Sequence, residues 1–113
     1  MAIYSNITID QGSDFSTEVT VEDATGNPAD LTGYIAAGQI RKTYTSSTAY
    51  DFICTIAYPV QGKINVAMLN NITETIKPGR YVYDIEIKEG VNGPITRVVE
   101  GQVEVTPSVT RSL

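Results

Sequence analysis

The run Pro78-Gly79-Arg80-Tyr81-Val82-Tyr83-Asp84-Ile85-Glu86-Ile87 constrains the fold of this chain more than any other. Proline presets φ and glycine tolerates φ > 0, so Pro78-Gly79 forms a turn, and strict alternation follows it. Tyr81, Tyr83, Ile85 and Ile87 then share one face of a strand. The spacing Gly79-x-Tyr81 suits a tyrosine corner, in which a phenol at the start of a late sandwich strand bonds back to upstream backbone. An ordinary edge-to-core strand with two tyrosines fits the same residues.

The rest of the chain repeats this period-two pattern between turn clusters, and no segment sustains a helical period. Ile7 and Ile9 alternate with Thr8, and Gln11-Gly12-Ser13 turns into Phe15, Thr17, Val19 and Val21, which point inward. A surface loop over 23–30 leads to a strand over 34–44, with Ala36, Gly38 and Ile40 on one face; such small residues imply close approach of another backbone. A strand over 50–57 carries Phe52, Cys54 and Ile56 on one face, and Ile64, Val66 and Met68 form the next inward row. Asn70-Asn71-Ile72-Thr73 is the one place for a helical turn, with Asn71 or Thr73 as its N-cap. The last hairpin pairs 80–88 with 95–106 across Asn92-Gly93, a dipeptide of type I′ turns with φ > 0 at both residues. Gly101 marks the expected bulge in the final strand. About seven or eight strands at these spacings predict an all-β fold, a two-sheet antiparallel sandwich. A single domain over 1–113 is expected, with flexible ends over about 1–6 and 107–113.

A length of 113 residues supports a core without staples. The net charge of −5 and the lack of any Lys/Arg cluster argue against nucleic acid as a partner, since nonspecific affinity comes from cations displacing counterions. No apolar run approaches the ~18 residues of a membrane span, so no membrane partner is expected. The N-terminus lacks the basic and apolar regions of a signal peptide, which predicts synthesis as a cytosolic soluble protein. Cys54 is the only cysteine, which excludes an intrachain disulfide and reads as a small buried hydrophobe.

The chain has no histidine, which removes the commonest general base and metal ligand. Glu18 with Glu22, and Glu86 with Lys88, lie on outer strand faces and read as solvated charge. Asp10, Asp14, Asp23, Asp30, Asp51 and Asp84 contain no Asp-x-Asp-x-Asp loop, and turn aspartates ordinarily cap their own backbone. No catalytic residue, cofactor site, metal site or small-molecule substrate is expected. Of the seven tyrosines, Tyr81 and Tyr83 read as core. Tyr34, Tyr44, Tyr50 and Tyr58, near strand ends, are candidate partner contacts as well as candidate rim-of-core residues. Tyr4, Val109 and Leu113 join them as candidate contacts near the ends. Few Lys or Pro residues block the strands, so some edge is expected to pair with a partner subunit, with the ends over 2–6 and 107–113 as flexible candidates.

Several segments carry a resemblance: Ile7-Thr8-Ile9-Asp10-Gln11-Gly12-Ser13-Asp14-Phe15, Gly26-Asn27-Pro28-Ala29-Asp30-Leu31-Thr32-Gly33-Tyr34, Gly38-Gln39-Ile40-Arg41-Lys42 and Gly62-Lys63-Ile64. Pro78-Gly79-Arg80-Tyr81-Val82-Tyr83-Asp84-Ile85-Glu86 and Arg97-Val98-Val99-Glu100-Gly101-Gln102-Val103-Glu104-Val105-Thr106-Pro107 continue it. Over 7–107 the chain resembles the small immunoglobulin-like virion proteins of tailed bacteriophages, including the N-terminal domain of baseplate upper proteins. The resemblance implies an immunoglobulin-like sandwich and a non-enzymatic building block in the tail, baseplate or fibre-attachment region. It also implies other virion proteins as partners, a homo-oligomer or multi-copy assembly, and the virion as location after synthesis in the host cytoplasm. The chain departs from baseplate upper proteins in carrying no helical stalk or fibre region, which favours an adaptor or decoration role over direct host binding. A capsid decoration protein and an immunoglobulin-like carbohydrate-binding module are the alternatives.

Overall fold

The computed structural model describes residues 3–110. Alternation of branched or aromatic residues with polar ones builds nine strands: β1 (Ile3–Tyr4), β2 (Ile7–Asp10), β3 (Phe15–Thr20), β4 (Tyr34–Arg41), β5 (Ala49–Asp51), β6 (Ile53–Tyr58), β7 (Lys63–Met68), β8 (Gly79–Glu89) and β9 (Ile95–Thr106). One short helix, α1 (Asn70–Thr73), and a 3₁₀ turn, Pro59–Gln61, complete it. The larger sheet runs β1-β9-β8-β4-β5, with β2 also on β9, and the smaller runs β3-β7-β6. Their inner faces meet as an all-β sandwich, consistent with an immunoglobulin-like arrangement. Ile40, Tyr81, Tyr83, Ile85, Val99, Val103 and Val105 of one sheet pack over Ile64, Val66 and Met68 of the other. Phe52 bridges them, edge-on to Tyr83 with ring centres 6.1 Å apart and tilted against Phe15 at 6.0 Å.

The larger sheet is mixed, whereas the smaller is wholly antiparallel. β1 and β2 run parallel to β9 in one continuous register, Ile3 opposite Val99 and Ile7 opposite Val103. They are one edge strand interrupted at Ser5-Asn6, so the nine segments correspond to eight strands. At this interruption the Ser5 amide donates to the Glu100 carbonyl at 2.8 Å, and the Tyr83 hydroxyl donates to the Ser5 carbonyl at 2.6 Å. Asn6 Oδ1 accepts from the Gln102 amide at 3.0 Å, replacing the missing backbone partner. At the other end the Ser108 amide reaches Gln11 Oε1 at 3.4 Å.

The expected strand over 50–57 divides at Phe52. Its first part pairs with β4 in the large sheet, its second with β7 in the small one, and the Phe52 amide stays bonded to the Gly38 carbonyl at 2.9 Å. Gly38 is small because the Ile85 and Phe52 side chains and the Asp84 carbonyl crowd the space a Cβ would need. The bulge expected at Gly101 is displaced: the register slips between Ile85 and Glu86, which makes Val98 the extra residue and buries Val98 and Val99 together. Gly101 sits in regular register opposite Tyr83, where a Cβ would strike the Ser5 carbonyl. The type I′ turn is also corrected, because Gly90, not Gly93, has positive φ, at 62°. Gly93 is needed for space, since a Cβ there would collide with the Glu89 backbone.

The helical turn forms where expected but is capped from elsewhere. Leu69 occupies its N-cap without a side-chain bond, and Asp14 Oδ1 accepts from the Asn70 amide at 2.7 Å. Thr73, fully buried, accepts from the Gly12 amide at 3.1 Å and donates to the Ser13 carbonyl at 2.8 Å, tying α1 to the β2–β3 turn. The tyrosine corner is present: the Tyr81 hydroxyl donates to the Lys77 carbonyl at 2.6 Å, four residues upstream, while Lys42 Nζ lies 4.7 Å above the ring.

Tyr81→Phe removes this corner bond and should lower stability by about 0.5–1.5 kcal/mol with the fold retained; an unchanged denaturant midpoint would show that the bond contributes nothing. Gly93→Val should cost about 1 kcal/mol or more through the collision with Glu89, read as a lowered melting temperature. A wild-type melting temperature would show that the hairpin loop relaxes freely.

Candidate functional site

The outer face of the large sheet holds a concavity of about 270 Å³, lined by Gln39, Arg41, Tyr44, Asp84, Arg97 and Glu100. Alternation places Gln39 and Arg41 outward on β4 and Asp84 outward on β8. The slip at Val98 decides the rest. Two consecutive inward valines put Arg97 and Glu100 on the same outer face, opposite Glu86 and Asp84. Arg97 Nε then lies 3.1 Å from Asp84 Oδ2, and its Nη1 3.3 Å from Glu100 Oε1. Arg41 donates to the Ser46 carbonyl at 2.6 Å and to Gln39 Oε1 at 3.0 Å, and Gln39 Nε2 donates to Asp51 Oδ1 at 2.7 Å. The face is a polar network whose cations already have partners. Its part-exposed ion pairs each contribute about 0–1 kcal/mol.

Of the candidate partner contacts read from sequence, Tyr44 lines this concavity, on the 42–48 connection and 77% exposed. Tyr4 is exposed on β1 opposite Glu100. Tyr34 is half-buried at the other end of β4, its hydroxyl donating to Glu89 Oε2 at 2.9 Å. Tyr50 is half-buried on β5 opposite Ile40, and Tyr58 is exposed at the end of β6. Val109 is almost wholly exposed, and Leu113 lies outside the described residues. The described ones are distributed over the molecule and form no common platform. Gln39, Arg41, Arg97 and Glu100 were not singled out from sequence, and Asp84 was weighed there only as a metal ligand. Their signal lay in outward positions of three adjacent strands, one of which required the correct bulge.

The six aspartates are engaged separately. Asp23 accepts from the Thr25 hydroxyl at 2.6 Å and from the Thr25 and Asn27 amides; Asp30 accepts from the Thr32 hydroxyl at 2.6 Å and the Thr32 amide. In each case the threonine hydroxyl, then its amide, pulls the carboxyl below its ordinary value. Asp10 accepts from the Thr106 hydroxyl, while Asp14, Asp51 and Asp84 take the partners given above. No three Asp, Glu or Cys side chains gather to hold a metal ion among the described residues. Cys54 points inward from edge strand β6 and is half-buried, and burial pushes its thiol up to about 11.

Three phenols also titrate high. Tyr34 is raised by its bond to the Glu89 carboxylate, Tyr81 and Tyr83 foremost by burial. A folded-state value above the unfolded one means that these groups stabilise the fold fully below about pH 10, and that this contribution is lost as pH rises through the folded values. An ultraviolet phenolate titration should therefore resolve a late class containing these three tyrosines, with stability falling across it. Simultaneous ionisation of all tyrosines while the protein stays folded would contradict the assignment.

No family model and no curated protein matches the chain. Among solved structures it is similar to Listeria monocytogenes InlP at 12% identity and a TM-score of 0.49, over 93% of this chain and 28% of that one. It is also similar to a family 123 glycoside hydrolase from Clostridium perfringens, an enzyme of glycolipid glycan hydrolysis, at 12% identity and a TM-score of 0.40, over 94% of this chain and 23% of that one. The chain thus spans about a quarter of each, and at these scores neither likeness bears on its function.

Proposed function

We propose that this chain is a non-enzymatic structural protein of a tailed-bacteriophage virion, a multi-copy adaptor in the tail, baseplate or fibre-attachment region. One observation carries the reading beyond the resemblance itself: the segments that resemble such proteins are those that build the sandwich. Asp30-Leu31-Thr32-Gly33-Tyr34 is the turn entering β4, closed by the Tyr34 amide on the Leu31 carbonyl at 3.0 Å. Pro78-Gly79-Arg80-Tyr81 is the tyrosine corner, and Glu100-Gly101-Gln102 receives the N-terminal strand. These side chains are held in structural bonds, which suits a protein whose work is to present surfaces and strand edges to neighbours.

Mass spectrometry of purified particles from a phage encoding the chain should find it in fixed stoichiometry with tail proteins, and its absence would overturn the proposal. Cryo-EM of the same particles separates a tail position from capsid decoration.

The concavity with exposed Tyr44 supports a second reading, carbohydrate binding, because a tyrosine beside Gln39, Arg41 and Glu100 offers both a stacking face and hydrogen-bonding groups. A glycan array showing a signal abolished by Tyr44→Ala would favour it, and a silent array would dispose of it.

A further inference from the structure

Strand edges are the places where this sandwich has unpaired backbone to offer, and they are not equivalent. The β1/β2 edge carries Asp10, β3 carries Glu18 at its middle, and β5 is three residues long with Asp51. An acid in an edge strand of a chain with net charge −5 opposes pairing with a second copy. A β3–β3 pair centred on Glu18 would set two carboxylates face to face. Of the strands that end a sheet, β6, Ile53-Cys54-Thr55-Ile56-Ala57-Tyr58, is the exception: six residues without a charge, a proline or a glycine, strand-paired only on its β7 side. Ile53 and Tyr58 are 52% and 56% exposed, while inward-facing Cys54 and Ile56 are only half-buried.

We propose that β6 is the edge through which two copies of this chain pair, antiparallel about a two-fold axis at Thr55, to make one six-stranded sheet from two three-stranded ones. Opposed residues in an antiparallel pair share a face, so the axis must pass beside a residue facing its own copy. Thr55 at the centre brings the exposed Ile53 against the end of the second copy's straight segment, where the slip begins at Ala57. It also puts Cys54 beside Ile56 of the second copy, extending both cores. The outer row through the axis runs Glu18-Asn65-Thr55 and on through the second copy, from the observed registers of β3 with β7 and β7 with β6. Its centre is a Thr–Thr pair flanked by asparagines. The two Glu18 carboxylates lie five strand spacings apart, about 24 Å, far beyond the ~8 Å screening length at physiological salt. Acidic self-repulsion is therefore weakest at this edge. The register slip between Ile56 and Tyr58 ends the straight part of the strand and limits further growth of the sheet.

This inference deepens the multi-copy reading above and rests on it for its setting, but the two fail separately: virion composition says nothing about which edge pairs, and pairing in solution needs no virion. Sedimentation equilibrium of the full chain from micromolar to millimolar should show mass rising from monomer toward dimer. Thr55→Lys, which opposes two ammonium groups at the axis, should weaken association by about tenfold or more, whereas Ser16→Lys on β3 should leave it unchanged. A monomer at every concentration, or a dimer indifferent to Thr55→Lys, would overturn the proposal. Should Thr55→Lys fail to fold, hydrogen exchange on the wild type replaces it: β6 amides should gain protection with concentration while β3 amides do not, and equal or absent gains would also overturn it.

Discussion

The hydrogen bond from the Tyr83 hydroxyl to the Ser5 carbonyl organises one side of the large sheet. Tyr83 lies in the middle of β8 on the inward face and is almost fully buried, so its hydroxyl needs an acceptor or carries a desolvation cost of about 1–3 kcal/mol. The acceptor comes from outside the sheet's regular ladder. The N-terminal strand breaks at Ser5-Asn6, and the Ser5 carbonyl turns toward the core across Gly101, which has no Cβ to obstruct it. The amide of Gln102, deprived of a ladder partner by that break, takes Asn6 Oδ1 instead. Three peculiarities of the sequence, a tyrosine in a core row, a glycine in a strand and an asparagine between two short strands, are thus one arrangement.

The same economy extends to the rest of the polar inventory. Asp14 caps a helix from another strand, Thr73 bonds across to the β2–β3 turn, Tyr81 closes its corner, and no buried side-chain polar atom among the described residues lacks a partner. These polar groups hold turns and connections. On the proposed reading the outer sheet face and the strand edges are the working surfaces. Charge then sorts the edges, because three of them carry acids and β6 does not.

The sandwich was legible because alternation is a direct record of burial: Phe15, Thr17 and Val19, then Ile64, Val66 and Met68, then Tyr81 to Ile87 by twos, all face inward as the sequence requires. The corner at Tyr81 was legible because Pro78-Gly79 fixes the turn before it. The parallel docking of β1 and β2 was not, since two short segments have too few residues for a period and parallel pairing depends on a distant partner. The change of sheet at Phe52 was hidden because the alternation continues unbroken through it. The bulge was misread from Gly101, although the adjacent Val98 and Val99 mark the phase slip. That error concealed the outer-face concavity, because only the slip puts Arg97 beside Glu100. Tyrosine positions located Tyr44 there, but not the charged residues around it.

A double-mutant cycle on Tyr83→Phe and Gly101→Ala tests the central arrangement most directly. A methyl at residue 101 displaces the Ser5 carbonyl, so the Tyr83 bond is already broken in that background. Denaturant unfolding should show the double variant less destabilised than the sum of the single ones, by about 1 kcal/mol. Additivity within about 0.3–0.5 kcal/mol would mean that Tyr83, Ser5 and Gly101 act independently, and would contradict the account.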